Sequence, residues 1–401
     1  MGRTSIYMVM GFSIIMIMGG KTMSTVGVQA LDNSLSYYEN TQRYALAVSA
    51  ANLVCSKVWE TPAWTDGFTD VSYNGGTFSA TVTSLGDGRK QITATASFGG
   101  TSQSVTITMK PSSFSKFAYY GGTSASAAAW ETGDTIGGPS HTQGKLKTFG
   151  SPVFLGKATS LTGITKSGSP KTPQFMGGFE SGVSISMPDN TSYNNIITAA
   201  TENGRLITGG NLYLKFNSNG TVSWRTNTSD PYITEPITSY APNGVIAMDK
   251  GSLYVEGTVD GRVTLASLRS SGSSGGTVTV TNSLVMNADP RTDESSDDML
   301  GIVSYGDITI ADNSATQFDV QGTLYSYSGG LAVEHGTSRP AGTLSIYGGM
   351  MVEKLYATSN GASGSARKGY NLSLHFDERF ANDSPDYFPA TGKYEILSWF
   401  E

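Results

Sequence analysis

The spacing of apolar residues changes along this chain of 401 residues, and the first change marks a long helix. An apolar run covers residues 6–18, and from residue 28 to residue 58 apolar residues recur three or four positions apart. That spacing places side chains on one face of an α-helix. Pro62 follows, and proline commonly ends a helix. The pattern predicts one helix within residues 1–60, on the order of 80 Å long, whose first third is almost entirely apolar.

Residues 61–117 show a different period, in which apolar and polar positions alternate. Alternation with a period of two indicates strands with one buried face, and turn residues between the runs indicate hairpins. The three predicted strands are 76–85, 89–98 and 101–110. Phe78, Ala80 and Val82 are expected to share one face. These residues therefore predict a small antiparallel β-meander that packs on the long helix.

Residues 118–375 consist of short apolar runs that end at Gly, Asn or Asp. The runs recur at a spacing of roughly 20 residues, a period typical of a solenoid. Short strands with Gly, Asn or Asp at the corners suit a parallel β-helix, in which each coil buries its inner face by stacking on its neighbours. A β-sandwich, the alternative, would show hairpin signals about every 8–12 residues. The predicted fold class is mainly β, with a long N-terminal α-helix, a small antiparallel β-meander and then a parallel β-helix.

The last segment, residues 376–401, is rich in aromatic side chains. They are Phe376, Phe380, Tyr387, Phe388, Tyr394, Trp399 and Phe400. A solenoid must protect its open end from edge-to-edge growth. We therefore expect the segment to cover the last coil. A surface for a partner is the alternative, because Tyr and Trp are favoured in interfaces.

Composition excludes several classes of function. The formal net charge is −6 and the pI is about 5.2, whereas a nucleic-acid-binding domain normally carries a basic patch, so no nucleic-acid partner is predicted. Three widely separated histidines, His141, His335 and His375, offer little for a histidine-based metal site or a Ser-His-Asp triad. Cys55 is the only cysteine, so no disulfide can form within the chain. No catalytic residue and no cofactor is predicted.

The N-terminal segment resembles that of PilX-type minor pilins. The resemblance lies in Gly-Arg-Thr-Ser-Ile at residues 2–6, the hydrophobic run, and the sequence QALDNSLSYYENTQRYALAVSAANL at residues 29–53. In that family a short leader ends at a glycine, the hydrophobic segment sits in the inner membrane, and the helices bundle in a filament core. The resemblance implies that a prepilin peptidase cuts after Gly2. Two features depart from the family's pattern: no Glu occupies the fifth position after Gly2, where major pilins carry it, and the leader has only two residues, neither of them basic.

The order of landmarks over most of the chain is similar to that of a largely uncharacterised set of bacterial envelope proteins. The landmarks are SSFSKFAYY, GPSHTQGKL, SPVFLGK, LYVEGTVDGRVTLAS, DPRTDESSDDMLGIVSYGDITI, GTLSIYGGMMV and YFPATGKYEILSW. These proteins join a pilin-like N terminus to a Gly-rich β-solenoid. The resemblance implies an architecture and a location, a bacterial cell envelope with an inner-membrane anchor and an exported β domain. It implies no reaction.

The apolar run has more than one interpretation. Its length is at the lower limit for crossing a hydrocarbon core of about 30 Å. The residues expected to face lipid or neighbouring helices are Ile6, Val9, Phe12, Ile14, Ile15 and Ile17. As an anchor, the run predicts a membrane partner and, by the resemblance, other pilin-like subunits or copies of itself in a filament. An ordinary signal anchor with an amphipathic stem, which would tether a surface protein without a filament partner, is the alternative. As a secretory signal peptide, it would be removed after Ala30, which ends a Val-Gln-Ala sequence.

One acidic stretch, residues 288–301, offers candidate ligands for Ca²⁺. The carboxylates are Asp289, Asp293, Glu294, Asp297 and Asp298. Ca²⁺ takes six to eight oxygen ligands, and clustered carboxylates in a loop are one way to supply them. The spacing does not match an EF-hand loop. The interpretation favoured by the sequence is a solvated corner between coils, in which the acids cap turns.

Two functions from different classes fit these patterns. The first is a non-enzymatic, pilin-like structural or adhesive envelope protein that displays a β-solenoid. The second is a secreted polysaccharide-active β-helix enzyme or carbohydrate-binding protein. A glycosidase needs two carboxylates across the scissile bond, and no such pair stands out along the sequence. Trp130 and Trp224 are the only tryptophans of the expected solenoid available to stack on sugars.

Overall fold

The structure is a computed structural model, and it describes residues 2–85, 88–125, 128–187, 191–272, 274–361 and 366–400. The chain divides into two compact units. The first unit comprises Met1–Ser112 and Gly392–Glu401, and the second comprises Ser113–Thr391. The protein is mainly β, as the sequence predicts, and its long helix belongs to the first unit.

The helices in these ranges are α1 (Gly2–Glu60), α2 (Thr191–Glu202) and α3 (Ile237–Tyr240). The N-terminal strands are β1 (Phe68–Tyr73), β2 (Gly76–Ser84), β3 (Lys90–Phe98) and β4 (Thr101–Ser113). Ten strands follow before α2: β5 (Tyr119–Ser124), β6 (Trp130–Glu131), β7 (Thr135–Gly137), β8 (Ser140–Thr142), β9 (Leu146–Phe149), β10 (Val153–Phe154), β11 (Ala158–Ser160), β12 (Ile164–Ser167), β13 (Gln174–Phe175) and β14 (Phe179–Ser181).

Most of the strands after α2 are longer. They are β15 (Arg205–Asn217), β16 (Thr221–Arg225), β17 (Ile233–Pro236), β18 (Val245–Val259), β19 (Arg262–Leu268), β20 (Thr277–Met286), β21 (Met299–Ser304), β22 (Ile308–Ile310), β23 (Gln317–Val333), β24 (Gly342–Leu355), β25 (Tyr370–Phe376) and β26 (Ala390–Phe400).

The first unit packs the end of α1 on an antiparallel sheet. The buried apolar residues of the helix are Leu46, Ala47, Ala50, Ala51, Val54, Cys55 and Val58. Their spacing of three and four gives one face, and small alanines on that face let the helix approach the sheet closely. Phe78 and Ala80 of β2 are buried against this face, with Val82 partly buried beside them. The predicted face of the meander is therefore confirmed.

Strand β26 contradicts the predicted role of the C-terminal segment. The strands of the first sheet lie in the order β1-β2-β3-β4-β26, so β26 is hydrogen-bonded next to β4. Lys110 of β4 and Glu395 of β26 form an ion pair of 3.5 Å, and Tyr394 donates a hydrogen bond of 2.8 Å to the carbonyl of Gly88. The alternating pattern of 390–400 suits a strand, but the sequence alone does not identify the sheet that this strand joins.

The second unit is a parallel β-helix with three faces. We call these faces ladder 1, ladder 2 and ladder 3, in the order in which one coil of the chain passes through them. In the coil that starts at β5, β5 lies in ladder 1, β6 lies at the ladder 2 position, and β7 lies in ladder 3. Tyr119 pairs with Ser140, 21 residues later, and Ser140 pairs with Ala158, 18 residues later. These offsets agree with the predicted repeat.

The core of the second unit is a set of side-chain columns inside the three ladders. In ladder 3 the residues that pair along the stack are Leu284, Val320, Ile346, Leu374, Ile136, Phe154 and Phe175. All except Phe175 are at most 1% exposed. Parallel pairing places equivalent positions above one another, so each coil buries its apolar residue between those of its neighbours.

The coils do not stack in chain order. Met350 of β24 pairs with Tyr119 of β5, and Leu374 of β25 pairs with Ile136 of β7. Residues 118–182 therefore continue the stack beyond β25, while β15 lies at the other end. The sequence predicts the coils but not this order, because any coil with an apolar inner residue can stack on any other.

A connection outside the stack makes this order possible. Helix α2 lies between β14, at one end of the stack, and β15, at the other. Ile196 of α2 is fully buried in a cluster with Ala247, Val303 and Tyr120, whose side chains lie outside ladder 1. At the β15 end, β16 pairs antiparallel with residues 213–217 of β15, and β17 pairs with β16. This pairing, rather than residues 376–401, protects that edge of the solenoid.

Candidate functional site

The apolar part of α1 is exposed. Ile6, Val9, Phe12, Ile14, Ile15 and Ile17 are each 52–70% exposed. An 18-residue window of the helix has a mean hydropathy of 1.5 and no buried residue, so α1 is long and apolar enough to cross a membrane. A signal sequence near an N terminus meets the same criterion. Gly2 is the first residue described in the helix, and Ala30 lies in its middle.

A second exposed stripe follows on the same helix. Val28, Leu31, Leu35 and Tyr38 are 53–70% exposed, and their spacing places them on one face. Further along, at Leu46, the helix is covered by its own sheet. Tyr38 also packs edge-on against Phe98 of β3, with ring centroids 6.1 Å apart. An exposed apolar stripe of this kind is typical of a surface that packs on another helix.

The acidic stretch does not gather its carboxylates. Arg291 donates hydrogen bonds of 2.9 and 2.6 Å to Asp289 and thereby lowers the pKa of that carboxyl. Asp298 is 2% exposed and accepts the backbone N–H groups of Gly261 and Ala288. In the ranges that the structure describes, no three His, Cys, Asp or Glu side chains form a group that could hold a metal ion. The carboxylates of this stretch therefore stabilise the loop itself, by accepting hydrogen bonds from backbone N–H groups and from Arg291.

A cleft opens where ladder 2 is interrupted. The strands of ladder 2 continue to Leu355 at the end of β24, but β6 on the next coil belongs to a separate sheet with β9 and β12. The interruption leaves a cavity of about 530 Å³. Its floor is formed by Leu355, Leu372 and Trp130, and its walls by Phe149, Glu131, Asp134 and residues 356–361. We call it the ladder-gap cleft.

Trp130 is a core residue of this cleft rather than an exposed platform. Its side chain is 2% exposed, and its ring packs edge-on against Tyr119 with a centroid distance of 4.8 Å. The indole Nε1 is buried, and the structure gives it no acceptor among the described residues. Trp224, the other candidate, donates its Nε1 hydrogen bond to Glu235 over 2.7 Å. The exposed aromatic ring at the cleft is instead Phe149, which is 45% exposed.

Two carboxylates three positions apart meet different environments in the ladder-gap cleft. Glu131 pairs with Arg367 over 3.2 Å and accepts the hydroxyl of Ser359. Asp134 is 5% exposed and accepts backbone N–H groups from Glu131 at 2.8 Å and Leu372 at 3.0 Å. Burial raises the pKa of Asp134 to about 7, because the two backbone donors and Arg367 offset only part of the desolvation.

The raised pKa of Asp134 predicts a pH dependence of stability. Between pH about 4 and about 7 the folded protein holds a proton on Asp134 that the unfolded chain releases, so this carboxyl contributes stability that is lost as pH rises through 7. The wild-type unfolding free energy should fall by a few kcal/mol at most over this pH range because of Asp134. We expect the Asp134→Asn variant to show much less of this decrease. Thermal unfolding of both proteins from pH 4 to pH 8 measures it. Equal slopes in the two proteins would contradict the assignment.

The sequence did not point to the ladder-gap cleft. Glu131 and Asp134 are visible as a short acidic pair, but their partners Ser359, Arg367 and Leu372 lie more than 220 residues away. The pairing of β25 with β7 brings these segments together. Trp130 is the residue of the cleft that the sequence suggests for sugar stacking, but its ring is buried.

No protein-family model matches the chain, and no curated protein matches it. Among solved structures, it is similar to the competence-associated pilin ComZ from Thermus thermophilus, with 12% sequence identity and a TM-score of 0.34 over 90% of this chain and 96% of that one. A likeness at that score carries no argument about the fold or the activity of this chain.

Proposed function

We propose that this protein is a non-enzymatic, pilin-like component of a bacterial cell envelope, with a structural or adhesive role. The observation that carries the proposal is α1, a single helix of 59 residues that is exposed and apolar at its start and buried on a sheet at its end. An uncovered apolar run of that length is stable in lipid or against other helices, and not in water. The start of α1 anchors the protein in the inner membrane, and both β-rich units are exported.

The stripe at residues 28–38 supports the second part of this proposal. Its apolar side chains lie beyond the anchor and, except for Tyr38, short of the sheet. Packing against the helices of other pilin-like subunits, or of further copies, would cover them. Processing after Gly2 would leave both the anchor and this stripe in the mature protein. Cleavage after Ala30 would remove the anchor and the beginning of the stripe.

A secreted polysaccharide-active enzyme is the second candidate, and one observation favours it. Glu131 and Asp134 line the same cleft, and their environments differ. Both carboxylates, however, hold parts of the protein together. Asp134 accepts a backbone N–H at each of its two oxygens, while Glu131 accepts from Arg367 and Ser359. This arrangement suits a binding wall better than a pair of catalytic groups, which must exchange protons with a substrate.

Protease protection in cells tests the location. We expect the protein to sediment with the inner membrane, and protease added to spheroplasts to digest the β-rich units while a fragment containing residues 6–18 stays in the membrane. A cytoplasmic membrane protein digested only after lysis serves as the control. Recovery of the intact protein in the medium, or protection of the β-rich units in intact spheroplasts, would contradict the proposal.

A further inference from the structure

We propose that the ladder-gap cleft binds a neutral sugar unit of an envelope or surface polysaccharide. The inference rests on the proposed function only for its adhesive setting, since the cleft lies wholly within the second unit. A cavity of about 530 Å³ falls in the size range of small-molecule sites, roughly 300–1,000 Å³. It therefore has room for one or two sugar rings.

The cleft exists because the solenoid is assembled out of chain order. Coil 342–355 ends at Leu355, and the coil that stacks on it comes from the other end of the unit's sequence. Ladders 1 and 3 continue across this junction through the pairs of Met350 with Tyr119 and Leu374 with Ile136. Ladder 2 does not continue, and the ladder-gap cleft lies at this break.

The polar atoms of the cleft suit a hydroxyl group. Glu131 is an acceptor, and because Ser359 and Arg367 both donate to its Oε1, its Oε2 keeps acceptor capacity. A hydroxyl can donate a hydrogen bond to this carboxylate oxygen, which a carboxylate ligand cannot do.

The charges and the exposed ring also favour a neutral sugar. Arg367 compensates the charge of Glu131, so the cleft attracts neither an anion nor a cation strongly. Phe149 of β9 presents an exposed ring at the wall, next to the apolar floor formed by Leu355 and Leu372. A flat aromatic face beside hydrogen-bonding groups suits a sugar ring, which carries C–H groups on its faces and hydroxyls at its edge.

Ligand-observed NMR on the full-length protein in detergent micelles tests the inference. Three neutral disaccharides serve as probes: cellobiose, maltose and N,N′-diacetylchitobiose. We expect at least one to bind with a dissociation constant of about 1 mM or tighter. Phe149→Ala should weaken that binding about tenfold, equivalent to about 1.4 kcal/mol. Phe149 is exposed, so this variant should keep the far-ultraviolet circular dichroism of the wild type.

The matched control is Tyr232→Ala, which removes another exposed aromatic ring of the same unit, 42% exposed, outside the ladder-gap cleft. It should bind the probe as the wild type does, and Glu131→Gln should bind it more weakly. Failure of all three probes to bind, or equal binding by wild type and Phe149→Ala, overturns the inference. These results do not depend on where α1 resides, so they are separate from the test of the proposed function.

Discussion

Replacing Ile14 and Ile15 by lysine is expected to remove the protein from the membrane fraction. Both residues lie inside the apolar run, and they are 52% and 69% exposed on α1. Lysine at the centre of a membrane-spanning helix costs about 2.5–3.5 kcal/mol per residue on insertion scales. The cost of two lysines therefore offsets much of the free energy that the apolar run gains on membrane insertion, since the run is already near the minimum length for a span. Quantitative immunoblots of sedimented and soluble fractions measure the effect.

The control for this variant places the same charges on the same helix outside the run. Asn33 and Ser36 are exposed polar residues of α1, and Asn33→Lys with Ser36→Lys should leave the protein with the membrane. Both variants carry two added charges, so a difference between them reports the position of the charges rather than their number. Retention of the Ile14→Lys, Ile15→Lys protein in carbonate-washed membranes would contradict the anchor.

The second large effect is expected at Gly348, where the solenoid leaves no room for a side chain. Gly348 of β24 pairs with Gly322 of β23, and both have positive φ angles, +142° and +144°. A Cβ on Gly348 would overlap the carbonyl oxygen of Gly322. Because the obstacle is backbone held in a ladder, it cannot rotate away. We expect Gly348→Ala to lower the unfolding free energy by roughly 1–3 kcal/mol from overpacking, in addition to about 1–3 kcal/mol from backbone strain.

Gly209 provides a matched control within the same unit. It also has a positive φ angle, +74°, but nothing lies within 4 Å of the position that a Cβ would take. Gly209→Ala should therefore show only the backbone cost, about 1–3 kcal/mol. Urea unfolding followed by circular dichroism compares the two variants. Equal destabilisation would mean that the close contact between Gly348 and Gly322 does not restrict the fold.

The sequence predicted the elements well because their patterns are local. The period of the apolar residues marked α1, and the alternation at Phe78, Ala80 and Val82 marked the buried face of the first sheet. The short runs ending in Gly, Asn or Asp predicted the solenoid and a repeat close to the observed one. In each case the information lies within one element and its turn.

What could not be predicted depends on contacts between distant parts of the chain. Leu374 pairs with Ile136, although either residue would fit any neighbouring coil with an apolar inner position. The sequence of residues 390–400 suits a strand, but the tertiary fold determines that this strand, β26, pairs with β4. The ladder-gap cleft follows from the coil order, and so it was not predicted either. The sequence of a repeat determines the structure of its own coil. The connections between repeats determine the order in which the coils stack.

The most direct test of the central claim is the intact mass of the protein extracted from membranes, combined with the sequence of its N-terminal peptide. The account predicts a mature protein that starts at Arg3, or upstream of it, and keeps the apolar run of residues 6–18. A mature protein that starts at Leu31 and is found in the medium would contradict the anchor, because the apolar run would then be a discarded signal.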